Sequence, residues 1–372
     1  MRNSSLLASP SGLQRRDFLQ LLGAGALGLA LSGRYASAAE NAAGSMPTPA
    51  KRASGAKPLR GLFPIGSTPF TADDKLDLDS LAAEVKFCNR GRVHGFIWPQ
   101  IASNWTTLKE DERLAGAEAI LAAGKGGTTA LVIGVQSKAG DMQEVARYAK
   151  HALEHGADAL VALPPPNVTD EKVLLDYYQQ IGRMTSLPLF VQTQGSMSID
   201  LVVEIYKTVP TARQVKDEAG VPLERITELR RLTNNEVNFF AGQGVRTMIA
   251  EMELGFMGHC PYTGLADVYA QAFDLWHAGK QREAFDMFGR ILALSSLGNI
   301  DQTRLLVARG VFKPDVHSRS GAEGGGGGGG GGAGRGGRGG GAGGAGGRGG
   351  PSMDDAKIRE ALDHYLKPYL RA

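Results

Sequence analysis

Cysteine is nearly absent from this chain: Cys88 and Cys260 are the whole complement, and they stand far apart. They cannot build a disulfide framework and they lack metal-pair spacing, so two free thiols are expected. Charge of one sign is lacking as well. The net charge is +3 over 372 residues, and Arg2, Arg15, Arg16 and Arg34 near the N-terminus account for the excess. Without residues 1–38 the balance is zero, which gives no electrostatic reason to expect nucleic acid as a partner. Long apolar runs are missing too. Residues 18–31 form a Gly/Ala-rich stretch that falls short of the about 20 residues needed to span a bilayer. No phosphate-loop or dinucleotide fingerprint follows the first apolar run of the main body, which counts against nucleotide-binding folds.

What is present begins with Gln14-Arg15-Arg16-Asp17-Phe18-Leu19, which resembles a twin-arginine export signal. Ala36-Ser37-Ala38 then offers a small-residue cleavage site. The expectation is a leader over 1–38, an exported periplasmic or extracellular protein, and no stable membrane insertion after cleavage. Residues 39–58 read as a linker.

From residue 59 a unit repeats: a short apolar run, a turn, then an amphipathic stretch. The runs lie at 61–70, 95–102, 129–136, 159–165, 187–194, 212–219, 237–244 and 255–261. Stretches at 78–89, 109–123, 141–155, 170–184, 198–208, 223–233 and 245–253 separate them, with apolar residues at helical spacing. Thr169 is read as a capping residue for the fourth of these. Buried strands alternating with helices predict a parallel sheet, and eight units in about 200 residues fit a closed (β/α)8 TIM barrel over 59–280. Residues 281–372 read as further helices, interrupted over 321–350 by a glycine tract holding Arg335, Arg338 and Arg348. That tract cannot bury apolar surface and reads as a flexible insertion rather than an RNA-binding segment.

The sixth run ends in Val215-Lys216-Asp217-Glu218. A lysine at the carboxyl end of a barrel strand is a candidate nucleophile, because an amine desolvated there can form a Schiff base with a carbonyl. The plainer reading is a charge paired with Asp217 or Glu218. Strand alternation puts Lys216 and Glu218 on one side, so Glu218 is either an acid/base group or a counter-ion.

These pieces, taken in order, resemble the pyruvate-dependent aldolase family that contains dihydrodipicolinate synthase and N-acetylneuraminate lyase. Gly66-Ser67-Thr68-Pro69-Phe70 is similar to its opening strand and turn, and Leu108-Lys109-Glu110-Asp111-Glu112-Arg113 to a helix start. Val215-Lys216-Asp217-Glu218 is similar to the segment bearing the Schiff-base lysine, while Ala241-Gly242 and 253–258 are similar to strands seven and eight. The resemblance implies a barrel, a lyase mechanism through Lys216 with no metal or organic cofactor, a keto-acid substrate and a homo-oligomer, tetramer or dimer.

The departures point to the substrate. The family's carboxylate-gripping loop after strand two reads Gln100-Ile101-Ala102-Ser103-Asn104 here, and the strand-five relay tyrosine falls at Val191 or Gln192. Pro164-Pro165-Pro166-Asn167 replaces the stretch with the second tyrosine. Amides at Gln100, Gln136, Gln192 and Gln194, with Thr68, Ser103, Asn104 and His259, form the candidate binding set. Amides donate and accept hydrogen bonds without taking protons, which suits a sugar-derived hydroxy-keto acid. Each glutamine also has a bland reading as a solvated loop residue. His259, Cys260 and Tyr262 are further candidates near the end of strand eight. Trp98 and Trp105 line a sugar-facing wall or simply pack. His151 and His155 have the i, i+4 spacing of a helical metal pair but read as surface residues. Two functions remain open: a Schiff-base aldolase or hydro-lyase, and an exported binding or scaffold protein on the same barrel.

Overall fold

The computed structural model describes residues 56–243, 245–298, 300–319 and 353–371. The expected leader, most of the linker and the glycine tract lie outside the described residues. Eight short parallel strands alternate with helices. The strands are β1 (Gly61–Leu62), β2 (Gly95–Trp98), β3 (Ala130–Gly134), β4 (Ala159–Ala162), β5 (Leu189–Gln192), β6 (Gln214–Asp217), β7 (Asn238–Ala241) and β8 (Gly258–His259). The helices that follow them are α1 (Leu78–Arg90), α2 (Glu110–Ala123), α3 (Met142–Glu154), α4 (Glu171–Met184), α5 (Ile199–Thr208), α6 (Pro222–Leu232), α7 (Met248–Glu253) and α8 (Ala266–His277).

The hydrogen-bonded order runs β1-β8-β7-β6-β5-β4-β3-β2. The chain just beyond β1 brings the ring round to β2: Gly66 N donates to Ile97 O at 2.9 Å and Ile97 N to Pro64 O at 3.0 Å. The architecture is therefore the TIM barrel expected from the eight-unit pattern. Strands buried on both faces need apolar residues at every position, and Ala130–Gly134, with the sequence ALVIG, is buried throughout.

Alternate residues divide between two cores. Inside the barrel lie Phe63, Ile65, Ile97, Val132, Val161, Phe190, Phe240 and Cys260. Phe63, Phe190 and Phe240 meet with ring centroids 5.0–5.6 Å apart and plug the interior. Gly95 and Gly258 are small because these rings fill the space a side chain would take. The outer core lies between strands and helices and includes Trp98, Val191, Val215 and Phe239. Such aromatic burial is worth roughly 2–3 kcal/mol per side chain before entropy is counted.

Helix starts follow the acidic caps. Side chains of Asp77, Asp141, Asp170 and Ser198 accept from backbone N–H groups of the first turns of α1, α3, α4 and α5. The cap of α4 is thus Asp170, one residue beyond Thr169. After the barrel come α9 (Gln281–Ser295), α10 (Gln302–Ala308) and α11 (Asp355–Tyr365). A buried ion pair of 2.8 Å between Arg309 and Asp267 ties the end of α10 to the start of α8. No helix among the described residues is long and apolar enough to cross a membrane.

Candidate active site

On β6 the pleat sends Val215 into the outer core, and Asp217 turns outward to form an ion pair with Arg225 of α6 at 3.4 Å. Lys216 points the other way and is 4% exposed. Its Nζ lies 3.1 Å from Oε1 of Glu218, whose other oxygen accepts from Nε2 of Gln192 at 2.5 Å. Gln192 is the β5 partner of Lys216 in the strand register. The structure therefore brings three of the expected residues into direct contact. Of the two strand-five candidates, Val191 packs outward and Gln192 is the residue that meets Glu218.

The turn after β6 is held from behind. Thr193 Oγ1 donates to Asp217 at 2.6 Å and accepts from the backbone N–H groups of Glu218 and Ala219 at 2.9 and 3.1 Å. Gln243 Nε2 donates to the Glu218 carbonyl at 3.0 Å. Burial pushes the Asp217 carboxyl above its ordinary range, with Arg225 and Thr193 pulling it back. At the end of β7, Gly242 leaves room for the Glu218 side chain, since a Cβ there would lie 2.3 Å from Oε1.

Two groups on the eighth unit lie within electrostatic reach of Lys216. Burial pushes the Cys260 thiol up to about 12, and the lysine charge opposes that shift only in part. Cys260 is thus a neutral member of the barrel interior. Burial likewise raises the Tyr262 phenol above its ordinary value, again opposed by Lys216.

The remaining expected residues divide by location. Thr68 Oγ1 donates to Ser103 O at 2.6 Å and accepts from the Trp98 indole at 3.1 Å, while Ser103 Oγ donates to Gly66 O at 2.6 Å. These hydroxyls lace the loops after β1 and β2 together, and Trp98 packs against Gly116 of α2. Trp105 lies beneath the Arg113 guanidinium with 5.6 Å between Cζ and the ring centroid, and both tryptophans are buried. Gln100 is fully buried and, among the described residues, neither atom of its amide has a hydrogen-bond partner. Gln136 Nε2 donates to Pro99 O at 2.9 Å, but its Oε1 and that of Gln192 are buried without partners among the described residues. Buried amide atoms left in this way are expensive unless something pairs with them.

Two expected residues do not join the group. Asn104 occupies a left-handed turn at φ 51° and is exposed. His259 turns away from the barrel interior: its Nδ1 lies 2.8 Å from Glu251 of α7, and its ring packs against Phe273 of α8. The physical reason is the pleat, which gives the interior place to Cys260. Gln194 is half-buried; its backbone N–H donates to Met197 Sδ at 3.4 Å and its carbonyl accepts from Met197 N at 3.2 Å.

Sequence reasoning missed three supports. Arg113 of α2 donates to the carbonyls of Gln136 and Gly134 at 2.6 and 2.8 Å and stacks on Tyr148 at 3.8 Å. Tyr178 of α4 donates to the Gln192 carbonyl at 2.9 Å. Glu84 of α1 is fully buried and accepts from Ser67 N through both carboxylate oxygens at 3.1 Å. Burial pushes the Glu84 carboxyl up to about 8, with hydrogen bonds from Thr263 and Ser67 pulling the other way.

Known proteins resemble this chain in sequence and in fold. A synthase of Rhizobium meliloti, 4-hydroxy-tetrahydrodipicolinate synthase, is 28% identical over 209 residues, 54% of this chain and 67% of the relative. A protein of Escherichia coli K12 named "Probable 2-dehydro-3-deoxy-D-pentonate aldolase YjhH" is 31% identical over 136 residues, 36% of this chain and 44% of that one. The chain thus spans about half to two thirds of the length of these relatives. The crystal structure of YagE from Escherichia coli K12, in complex with pyruvate, superposes with a TM-score of 0.64 at 16% identity, covering 82% of this chain and 98% of that one. That likeness shows the fold. The model of the dihydrodipicolinate synthetase family matches residues 58–311, most of the chain, and the protein belongs to that family.

Proposed function

We propose that this protein is a Schiff-base-forming lyase, an aldolase or hydro-lyase, acting on a sugar-derived keto acid. The observation that carries the reading is the buried Lys216 amine at the carboxyl end of β6, 3.1 Å from a carboxylate. Family membership and the names of relatives as synthases and aldolases support it.

The chemistry follows from the residues. An ammonium must shed a proton before it attacks a carbonyl, and Glu218 is placed to accept it. The Nζ lone pair then adds to the keto carbon, and the carbinolamine expels its oxygen as water, using the proton returned by Glu218. The resulting iminium draws the electron pair of the neighbouring C–C or C–H bond into an enamine while Glu218 takes the proton released, from the hydroxyl that becomes the departing carbonyl or from carbon, and no metal or organic cofactor is needed. Protonation of the enamine and hydrolysis by water restore the amine and release the keto product. Gln192 holds the Glu218 carboxylate throughout. The buried, unpartnered amide atoms of Gln100, Gln136 and Gln192 are suited to substrate hydroxyls and carbonyls. We assign the protein to the periplasm or cell exterior on the strength of Arg15-Arg16 and the small-residue site at 36–38. A homo-oligomer is part of the proposal, with exposed Phe285 of α9 as apolar surface for association. No observation favours the non-catalytic alternative.

The test is incubation of the full chain with a panel of keto acids and borohydride, followed by mass analysis. The expected result is a reduced adduct on the peptide holding Lys216, absent in Lys216→Ala. No adduct across the panel, or an adduct on another lysine, overturns the proposal.

A further inference from the structure

At the opposite end of the barrel, the last turn of α3 carries His151, and His155 caps the helix one turn on. Their rings stack with centroids 4.3 Å apart and planes 30° apart. On the neighbouring helix α2, Glu118 reaches both: its Oε1 lies 2.9 Å from His151 Nε2 and 3.8 Å from His155 Nε2. All the donor atoms fall within 4.8 Å of one another, and no other such set is found among the described residues.

We propose that Glu118, His151 and His155 form a divalent transition-metal site that clamps α2 to α3 on the amino-terminal face of the barrel. A tetrahedral ion with bonds of about 2.0–2.1 Å places its ligand atoms roughly 3.4 Å apart, and the two carboxylate–imidazole distances straddle that value. Two imidazoles and one carboxylate are the donors that zinc and its neighbours take, while magnesium and calcium want oxygen alone. The i, i+4 spacing fixes two ligands on one helical face without a change of backbone. Glu118 and His155 also line a surface cavity of about 440 Å³ with Lys57 and Lys125, so water or an anion has access beside the ion to complete its coordination. His151 has a side chain 16% exposed, which lets an ion reach it from solvent while holding the ring in place. Cys88 and Cys260 are buried and do not compete for the metal. Because the cluster lies far from Lys216 in the fold, the site is independent of the lyase proposal.

The test uses the full chain without a histidine tag, stripped with chelator and titrated with zinc by calorimetry. One equivalent is expected to bind at pH 7.5. Zinc at a hundredfold excess over its dissociation constant is expected to raise Tm by several degrees, and magnesium to leave it unchanged. His151→Ala and Glu118→Gln, each checked for an unchanged circular dichroism spectrum, are expected to weaken binding at least tenfold; His155→Gln serves if His151→Ala does not fold. Absence of zinc binding, or binding unaltered in the variants, overturns the proposal.

Discussion

Gly242→Ala is the substitution that most directly tests how Glu218 serves Lys216. A methyl at this position would stand 2.3 Å from Oε1, 2.5 Å from Cγ and 2.7 Å from Cδ of Glu218. Carbon atoms prefer at least about 3.5 Å, so Cγ must retreat by roughly 1 Å. The backbone of Glu218 is pinned by Thr193 and Gln243, which leaves rotation of the side chain as the way out. That rotation carries the carboxylate off Lys216 and Gln192. The stability cost is the loss of two shielded, charge-assisted contacts, about 1–3 kcal/mol each, offset by about 0.4–1 kcal/mol from the stiffer unfolded chain. A catalytic cost comes with it, since a misplacement of about 1 Å at a reacting group costs on the order of 100-fold. The assay is the rate of borohydride trapping of a keto-acid imine on Lys216, measured in the wild type, Gly242→Ala, Glu218→Ala and the double variant. Once Glu218 is truncated the methyl has nothing to displace, so Gly242→Ala should then change the rate by less than about threefold. An equal loss in both backgrounds, or no loss in the wild-type background, refutes the role given to Glu218.

Two further outcomes follow from residues outside the mouth. Glu84 is buried with its carboxyl raised to about 8, so the native state keeps a proton that the unfolded chain releases near its ordinary value of 4.5. This group therefore favours folding least above pH 8: its contribution falls as pH rises between those limits, by on the order of 1 kcal/mol per pH unit. Glu84→Gln keeps the size and should flatten that fall in urea unfolding measured at pH 5, 6.5 and 8; equal slopes in the two proteins would remove the assignment. Arg113→Ala should cost about 3–5 kcal/mol in the same assay, because two carbonyls at the end of β3 lose their donor and Tyr148 loses its stacking partner. A loss below about 1 kcal/mol would show that water replaces the guanidinium freely.

The barrel was legible because each strand is buried on both faces and each helix on one, which writes apolar runs and helical spacing alternately into the chain. Lys216 was legible for the same reason: it is a charge at the end of an apolar run. Gln192 needed the pleat, since neighbouring residues on β5 look in opposite directions and Val191 carries no polar mark. His259 was misplaced because β8 is only two residues long, Gly258 and His259, which offers no alternation to read. Arg113 and Glu84 sit on helices where a charged residue ordinarily means a solvated face. Their burial depends on partners 21 and 17 positions away in sequence, Gly134 and Ser67, and no local period reports such pairings. Glu118 escaped notice for the same reason: a lone glutamate on α2 says nothing about two histidines on α3.

The arrangement at the end of β5 couples two neighbouring strands of the barrel. Gln192 grips the carboxylate of Glu218 from inside the barrel, while the next residue, Thr193, grips its peptide N–H from the strand's other side. Two adjacent residues at the end of β5 thus govern the posture of the residue that follows β6. Replacing Gln192 with tyrosine would remove the amide that donates to the Glu218 carboxylate, and with it a contact that holds this group beside Lys216. The side chain at position 192 and the lysine's partner therefore act as one unit, so a change at either one alters the setting of the Lys216 amine.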